Sequence, residues 1–314
     1  MRLFVGVTDF DWYSLHASRS GVEEVNFWKP SPEATFKALK PGEPFLFKLH
    51  APRNYIVGGG FFARFVRLPL SLAWDAFGEN NGARSRAEVK TRIAKYRRQP
   101  VDPHEDPKIG CILLEEPFFF KQADWIPAPA DFNLNIVQGK GYELASITGM
   151  QLWQQVGEKL ERMRLQDATA GPATNAAAEN ARHGKPSLVS PRLGQGSFRV
   201  MVTDAYSRRC AVTTEKTLPV LEAAHIRPYA QGGEHALTNG LLLRSDLHIL
   251  FDRGYLTIDP SERRVVVSRR IREEFENGRH YYALHGNPIA SPADPQEAPS
   301  VENLLFHAQT VFRG

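Results

Sequence analysis

The segment from Thr169 to Pro191 constrains the fold of this chain more than any other feature of its sequence. It is rich in Ala, Gly, Pro, Ser and Asn, and it contains almost no large apolar side chain. A segment of that composition cannot bury a core and is typical of a flexible linker. The chain has 314 residues, and domains commonly hold about 150. We therefore expect two folded regions, one on each side of this segment.

The overall composition is typical of a soluble globular protein, with 42% hydrophobic and 24% charged residues. No run approaches the roughly 18 apolar residues of a membrane-spanning helix, and the polar start MRLFVGVTDFDW is not a signal peptide. These features predict a cytoplasmic protein that does not engage membranes. The net charge of +4 and the isoelectric point of about 9.0 permit a polyanionic partner without requiring one.

The two cysteines, Cys111 and Cys210, lie far apart in the sequence. They cannot form a disulfide framework or a four-cysteine zinc site. We expect two buried thiols in a reducing compartment.

The region 1–147 has the pattern of one mixed domain. Apolar and alternating runs bounded by turn residues predict strands at MRLFVGV, PFLFKLH, IGCILLEEPFFF and NIVQGKGYEL, and two strands in NYIVGGGFFARFVRL broken by its glycines. Helices are expected at SLAWDAFG and from Ser85 to Arg98. Many short strands with few helices predict a small, curved β-barrel with helices outside it. Helical spacing over 149–166 adds a linker helix, so that 148–191 forms the connection.

The region from 192 to 285 is expected to be a second domain, followed by a C-terminal tail at 286–314. SFRVMVTDAY predicts a helix capped by Ser197, and TLPVLEAAHI predicts a strand before the polar loop RPYAQGGEHALTNG. SDLHILFDRG predicts a helix that begins after Ser245 and stops at Gly254. YLTIDP and RRVVVS predict a hairpin. The chain as a whole is therefore expected to be α+β.

Three residues of this second region carry the chemistry. His225 ends the predicted strand, Asn239 closes the loop, and His248 lies within the following helix. This part of the sequence resembles the HNH nuclease family of the restriction type. The resemblance rests on four short motifs in this order and spacing: AAHIRPY, GG, NGLLL and DLHILFDRG. The resemblance implies a ββα-metal unit that holds one divalent ion and cuts DNA.

Phosphodiester hydrolysis requires a deprotonated water, a Lewis acid and correct alignment. With an ordinary pKa near 6.5, His225 is the candidate general base. The resemblance makes His248 the main metal ligand and Asn239 a residue that orients the imidazole or touches the metal. Mg²⁺ or Mn²⁺ is the expected ion, and Ni²⁺ or Co²⁺ could substitute.

The residue before the base departs from the family pattern. Many HNH enzymes have a metal-binding Asp or His there, whereas this chain has Ala224. Asp252 lies four residues after His248, on the same helical face, and is the expected replacement ligand. It could equally be a helix-terminal acid paired with an arginine. Asp246 and His235 are weaker candidates, and His235 could be an ordinary loop residue.

Five segments of the first region resemble a PUA-superfamily module of the EVE type. They are FVGVTDFDWYSL, VNFWKPS, LKPGEPFLFKLH, IVGGGFFARF and NIVQGKGYEL. Joined to an HNH domain, the whole resembles modification-dependent restriction endonucleases. The resemblance implies that a modified cytosine (5-methyl or 5-hydroxymethyl) is flipped into an aromatic pocket. The pocket candidates follow predicted strand ends and are Asp9, Asp11, Trp12, Asn26, Phe27 and Trp28. The alternatives are that the aromatic residues belong to the core, or that the module reads RNA.

Clusters of arginine and lysine are candidates for contact with the DNA backbone. The predicted helix from Ser85 to Arg98 is strongly basic, which would make binding fall steeply with salt. A solvated helix paired to acids elsewhere is the alternative. The candidates are Arg92, Lys95, Arg97, Arg98, Arg208 and Arg209, with Arg263, Arg264, Arg269, Arg270 and Arg272 as a further group.

The expected partner is double-stranded DNA, and a homodimer is expected because one HNH unit cuts one strand. Two rival functions remain at this point. The first is a nuclease that does not depend on modification, of the toxin or effector type. The second is a nucleic-acid-binding module with a degenerate nuclease core, which Ala224 suggests.

Overall fold

The structure is a computed structural model that describes residues 1–31, 33, 35–97, 102, 104–133, 135–170 and 194–314. It divides into two compact units, Met1–Pro191 and Arg192–Gly314. Both units combine helices with sheets, which confirms the α+β class. Most of the predicted flexible linker, from 171 to 191, lies outside the described residues.

The first unit is built on a seven-stranded sheet with the order β2-β5-β4-β3-β1-β7, in which β6 pairs with β4. Neighbouring strands are antiparallel except for β1 and β3, which are parallel. In the described part of the chain no pairing joins β2 to β7, so the sheet is an open path. The strands are β1 Arg2–Thr8, β2 Glu24–Lys29, β3 Pro44–Leu49, β4 Tyr55–Pro69, β5 Lys108–Phe119, β6 Ile126–Pro127 and β7 Gly139–Glu143.

Strand β4 runs unbroken through Gly58, Gly59 and Gly60, so the predicted interruption is wrong. The glycines serve close approach instead. A Cβ at Gly58 would lie 2.2 Å from the carbonyl oxygen of Phe118 on β5. Glycine within a strand commonly marks a bulge or such an approach, and the pairing of β4 with β5 shifts register just after Gly59.

Apolar side chains cover both faces of the sheet. One cluster contains Trp12 of helix α1 (Phe10–Ala17) together with buried phenylalanines such as Phe45 and Phe47. The other contains Leu152 and Val156, which are 3% and 0% exposed and lie on helix α4 (Ile147–Ala170). The first half of the predicted linker helix therefore belongs to the core of this unit. Helices α2 (Leu70–Phe77) and α3 (Arg86–Arg97) lie between β4 and β5 in sequence.

The second unit contains two short hairpins and five helices among its described residues. Its core is formed by residues such as Phe198, Leu241 and Phe251. The elements are α5 Gln195–Ala205, β8 Leu221–His225, β9 Gly240–Arg244, α6 Ser245–Asp252, β10 Leu256–Ile258, β11 Val265–Val267, α7 Arg270–Phe275, α8 Arg279–Tyr282 and α9 Val301–Phe306.

The helix boundaries differ slightly from expectation. Gly194 is the N-cap of α5, and Ser197 is buried in its first turn, so the predicted cap is wrong. Ser245 is the first residue of α6, and its hydroxyl donates to the carbonyl of Val220 at 2.9 Å. Gly254 has φ +76, a left-handed conformation suited to glycine, and follows the end of α6 as predicted.

Residues 286–314 are not a tail, which corrects the predicted domain boundary. Leu304 and His307 are 0% and 1% exposed. The His307 ring stacks on Phe251 with centroids 3.7 Å apart, and Ala290 donates its backbone N–H to Ala211 at 2.7 Å. The C-terminal residues therefore complete the core of the second unit.

Two simpler expectations concern thiols and membranes. Cys111 and Cys210 are both free and buried, as predicted. A search of the described helices finds none that is both long and apolar enough to cross a membrane.

Candidate active site

The β8–β9 hairpin and the helix α6 form a ββα unit that presents the predicted histidines. His225 ends β8 and is paired with Gly240 at the start of β9. Helix α6 follows β9 directly and is anchored by Leu247 and Phe251, both 0% exposed. His248 and Asp252 each follow one of these residues and lie on the adjacent side of the helix.

Asn239 braces the loop between the two strands. Its Oδ1 accepts from the backbone N–H of Arg227 at 2.8 Å, and its Nδ2 donates to the carbonyls of Arg227 and Glu234 at 3.0 and 2.9 Å. The side chain is 1% exposed. None of these hydrogen bonds goes to an imidazole, and the expected contact of Asn239 with a metal stays a prediction. Asn239 holds the loop in shape.

His225 sits in an aromatic environment with one nitrogen engaged. Its ring stacks on Phe198 with centroids 3.9 Å apart, and its Nε2 lies 2.8 Å from Nδ1 of His235. His235 in turn stacks on Tyr229 at 4.5 Å. Burial, with smaller effects from the charges of His235 and His248, lowers the pKa of His225 to about 4. The imidazole is therefore neutral near neutral pH, and His235 is more than an ordinary loop residue.

His248 stands between two carboxylates. Its Nδ1 lies 2.6 Å from Oε2 of Glu222 on β8, and its Nε2 lies 3.3 Å from Oδ2 of Asp252 one turn along α6. Burial raises the pKa of Asp252, and the charge of Glu222 adds to this while His248 opposes it. The structure thus brings Asp252 to His248 as the helical spacing predicted.

The donor set suits a divalent ion held by few protein ligands. Two donors each about 2.1 Å from one Mg²⁺ at right angles are about 3 Å apart, close to the 3.3 Å between His248 Nε2 and Asp252 Oδ2. Across the described residues no group of three or more His, Cys, Asp or Glu side chains surrounds one ion position. Mg²⁺ usually keeps several water ligands, so a site with two protein ligands is consistent with its usual coordination.

Two other residues near the site, Asp246 and Ala224, make contacts of a different kind. Both oxygens of Asp246 accept from the Arg244 guanidinium, at 2.6 and 2.8 Å, which argues against Asp246 as a ligand. Ala224 is 0% exposed and lies in the core cluster. The strand therefore turns this position toward the core.

Sequence reasoning missed Glu222. Side chains alternate along a strand, which would place Glu222 and His225 on opposite faces of β8. The contact with His248 depends on how α6 packs against the hairpin, and no local pattern encodes that. The only local signal was an acid three residues before the candidate base.

Half of the predicted base-pocket residues are buried. Trp12 lies on α1 and is 4% exposed, while Asn26 and Phe27 lie within β2 and are 0% and 8% exposed. The Nδ2 of Asn26 donates to Oδ1 of Asn81 at 2.9 Å. The expectation that Trp12, Phe27 and Trp28 follow strand ends in loops is wrong, because Trp12 lies in α1, which begins at Phe10, and Phe27 and Trp28 lie within β2.

The remaining candidates surround an aromatic residue that was not predicted. The Tyr96 hydroxyl donates to Oδ2 of Asp9, and the Tyr96 and Trp28 rings meet edge to face at 6.2 Å. His50 Nε2 lies 3.6 Å from Asp9 Oδ1. We call Asp9, Trp28, His50 and Tyr96 the Tyr96 cluster. Asp11 is exposed on α1.

A depression of about 470 Å³ lies elsewhere on this unit. Its lining includes Arg53, Tyr55 and Phe132 but none of the predicted pocket residues.

The basic helix α3 uses two of its arginines internally. Arg92 donates to the carbonyl of Gly82 at 3.0 Å and pairs with Glu88 at 2.6 Å. Arg97 donates to the carbonyls of Pro30 and Lys108 at 2.8 and 2.6 Å. These two side chains attach the helix to its own unit, which argues against the expected backbone contacts. Lys95 is exposed, and Arg98 lies outside the described residues.

The arginines of the second unit also differ in their surroundings, since some are exposed and others form ion pairs. Arg209 and Arg272 are exposed and Arg208 is half-buried. Arg264, Arg269 and Arg270 pair with nearby glutamates at 3.3, 3.6 and 3.8 Å. Arg263 has a buried Nη1 that finds no hydrogen-bond partner among the described residues. Exposed ion pairs are weak, so the paired arginines could still exchange partners.

Comparison with known proteins places the ββα unit in a family. Residues 210–259 match the HNH_2 family of HNH endonucleases. No curated protein matches the chain. Among solved structures, ASCH from Zymomonas mobilis is 10% identical with a TM-score of 0.31, covering 48% of this chain and 94% of its own. The modification-dependent TagI restriction endonuclease is 13% identical with a TM-score of 0.26, covering 92% of this chain and 75% of its own.

Both TM-scores lie below 0.5, so the assignment rests on the family match alone. That match spans His225, Asn239 and His248, which confirms the predicted nuclease at the level of this domain. The C-terminal unit of this chain thus contains an HNH endonuclease domain.

Proposed function

We propose that the chain is a modification-dependent restriction endonuclease. Its N-terminal unit, a PUA-like module, binds DNA that carries 5-methyl- or 5-hydroxymethylcytosine, and its HNH domain hydrolyses phosphodiester bonds. The observation that carries the nuclease part is the neutral His225 ring held by His235, in one ββα unit with the His248–Asp252 pair.

His225 is positioned to act as the general base. Its Nε2 faces His235, so Nδ1 is the nitrogen left to accept a proton from water. A neutral imidazole carries one N–H. If Nε2–H donates to His235, Nδ1 keeps its lone pair, and the lowered pKa of about 4 keeps the ring unprotonated near neutral pH. General-base catalysis of this kind contributes about 10²–10⁴-fold.

His248 and Asp252 are the side chains that would hold a divalent ion, with Mg²⁺ or Mn²⁺ the best match to one imidazole and one carboxylate. When bound, such an ion supplies positive charge to the phosphate and the leaving oxygen. Asn239 contributes by fixing the loop that carries Glu234 and His235. One domain of this kind cuts one strand, so cutting both strands favours a homodimer.

The Tyr96 cluster is the proposed reading site for the modified base. The Trp28 and Tyr96 rings offer aromatic faces, and stacking of a base contributes about 1–3 kcal/mol. Asp9 can accept from the exocyclic amine of cytosine. The exposed Lys95, next to Tyr96 on α3, can reach a phosphate. Asp9 and Trp28 are two of the predicted pocket residues.

One digestion experiment tests this function. A single DNA fragment is prepared unmodified, 5-methylated and 5-hydroxymethylated, and each form is incubated with the full chain in Mn²⁺ or in a chelator. We expect cutting of at least one modified form, little cutting of the unmodified form and none in the chelator. Cleavage that persists in the chelator would contradict the metal-dependent nuclease.

A nuclease that ignores modification is the second candidate. The burial of Trp12, Asn26 and Phe27 favours it, since three predicted pocket residues have no access to a base in this structure. Equal cutting of all three DNA forms would establish this candidate. An Asp9→Ala variant that retains cutting of unmodified DNA but loses preference for modified DNA would instead support the Tyr96 cluster.

A further inference from the structure

We infer that Glu222 is a positioning residue for the metal ligand His248. Its carboxylate holds the imidazole in the tautomer with hydrogen on Nδ1, so that Nε2 is directed with a free lone pair toward Asp252. The inference rests on the proposed metal-dependent nuclease and names a residue outside the segments that carry the resemblance to HNH nucleases.

The two contacts of His248 differ in length. The distance from Nδ1 to Glu222 Oε2 is 2.6 Å, and the distance from Nε2 to Asp252 Oδ2 is 3.3 Å. Charge-assisted hydrogen bonds between nitrogen and carboxylate measure about 2.7–2.9 Å. The Glu222 contact therefore has the length of a strong hydrogen bond, whereas the Asp252 contact is too long for one.

The longer contact suits two ligands of one ion. Donors around a common divalent ion are about 3 Å apart, near the 3.3 Å measured to Asp252. A neutral imidazole has a single N–H. When Nδ1 donates that hydrogen to Glu222, Nε2 is the nitrogen that remains for a metal. The two lengths thus assign the two carboxylates to different roles.

The fold fixes Glu222 independently of His248. Glu222 lies on β8 and is paired with Leu243 of β9, whereas His248 lies on α6. The contact therefore ties the helix to the hairpin at the site. Metal-binding histidines generally donate their other ring N–H to a carboxylate or carbonyl, and loss of that partner typically lowers metal affinity about 10–100-fold.

Metal affinity tests the role without reference to cleavage. Mn²⁺ binding to the full chain is measured by titration calorimetry for the wild type, Glu222→Ala, Glu222→Gln and His248→Ala. Glu262→Ala is the matched control, because Glu262 is an exposed glutamate of the same unit paired with Arg264. We expect about 10–100-fold weaker binding for Glu222→Ala and unchanged binding for Glu262→Ala. Glu222→Gln should restore part of the affinity, since its amide oxygen can still accept from Nδ1.

The tautomer provides a second readout in the unaltered protein. Nitrogen-15 NMR of His248 in Mg²⁺ should show hydrogen on Nδ1, and Glu222→Ala should lose that preference. Hydrogen on Nε2 in the wild type would overturn the inference, as would unchanged Mn²⁺ affinity of Glu222→Ala.

Glu222→Gln that binds as weakly as His248→Ala would also overturn it, because Glu222 would then be a ligand itself. His248→Ala that keeps full Mn²⁺ affinity would contradict the proposed metal site instead. The two failures are therefore distinguishable.

Discussion

His16 and Glu115 of the first unit differ from Asn239 and His307 of the second unit in their hydrogen-bond partners. In the first unit, both ring nitrogens of His16 and both carboxylate oxygens of Glu115 are buried without a hydrogen-bond partner among the described residues. In the second unit, Asn239 makes three hydrogen bonds, and His307 contacts both Thr257 and the carbonyl of Phe251. Burial is the main cause of a low imidazole pKa in both units. It lowers the pKa of His16 to about 3, with a smaller effect from the charge of Arg19, and that of His225 to about 4, with smaller effects from His235 and His248.

The comparison shows that a low pKa does not mark a catalytic histidine. His16 stacks on Phe119 and meets Trp12 at 4.3 Å, which makes it a core residue. His225 has one nitrogen fixed by His235 and belongs to a group of interacting histidines and carboxylates. The partners of the ring, rather than its burial, distinguish the site.

The largest expected change of stability follows from Asn239→Ala. The substitution removes three part-buried hydrogen bonds to the backbone N–H of Arg227 and to two loop carbonyls, at about 1 kcal/mol for each. We expect the free energy of unfolding of the second unit to fall by about 3 kcal/mol, measured by urea denaturation. Asn287→Ala, which removes one exposed hydrogen bond at 3.3 Å, is the control and should cost far less.

A destabilisation by Asn239→Ala no larger than that by Asn287→Ala would remove the contrast between the units. It would mean that the loop is held by other contacts, and that Asn239 has some role besides bracing.

Glu115 predicts a pH-dependent stability of the first unit. Burial, reinforced by the charges of Glu24 and Glu116, raises the pKa of Glu115 from 4.5 to about 8. The folded state therefore holds a proton that the unfolded state has lost between these values, so stability falls as pH rises through this window. The slope approaches about 1.4 kcal/mol per pH unit.

Urea denaturation at about pH 5 and about pH 7.5 measures that slope. Glu115→Gln should be nearly insensitive to pH over the same window, because the amide does not ionise. A slope that is equal in the wild type and in Glu115→Gln would show that Glu115 finds a partner in solution.

His16→Leu is expected to have the smallest effect on stability. Since both ring nitrogens are buried and have no partner in the described part of the chain, leucine would remove a polar group without removing a hydrogen bond seen there. We expect the unfolding free energy to stay constant or to rise by about 1 kcal/mol. Tyr13→Phe is the contrasting variant, because the Tyr13 hydroxyl donates to the carbonyl of Phe120 at 2.6 Å. It should lose about 1 kcal/mol, and a larger loss for His16→Leu would contradict the account.

The same contrast explains which features were predictable from the sequence. The HNH residues lie within one short stretch, so the order and spacing of His225, Asn239 and His248 were sufficient to predict the HNH domain that the family match confirms. The role of Asn239 could not be predicted, because its hydrogen-bond partners are backbone groups that become neighbours only when the loop closes. Glu222 was missed for a related reason, since strand alternation places it away from His225.

In the first unit the candidates come from separate elements. Trp12 and Phe27 have the same local sequence signals whether they line a pocket or fill a core, and the sheet that buries them forms by long-range pairing. Tyr96 lies in the sequence of a basic helix, and no local signal sets it apart from the charged residues beside it. The glycines of β4 have the local pattern of a strand break, whereas in the fold they allow the close approach of β5. Leu304 and His307 lay too far from the motif to be recognised as part of its core.

The central claim is that His225 is the base of a metal-dependent nuclease. The most direct measurement is the single-turnover cleavage rate of modified DNA in Mn²⁺ by His225→Ala, with DNA binding measured on the same preparation. His280→Ala is the control, as His280 is an exposed histidine of the same unit. The account predicts a rate lower by about 10²–10⁴-fold with binding retained, and an undiminished rate would contradict it.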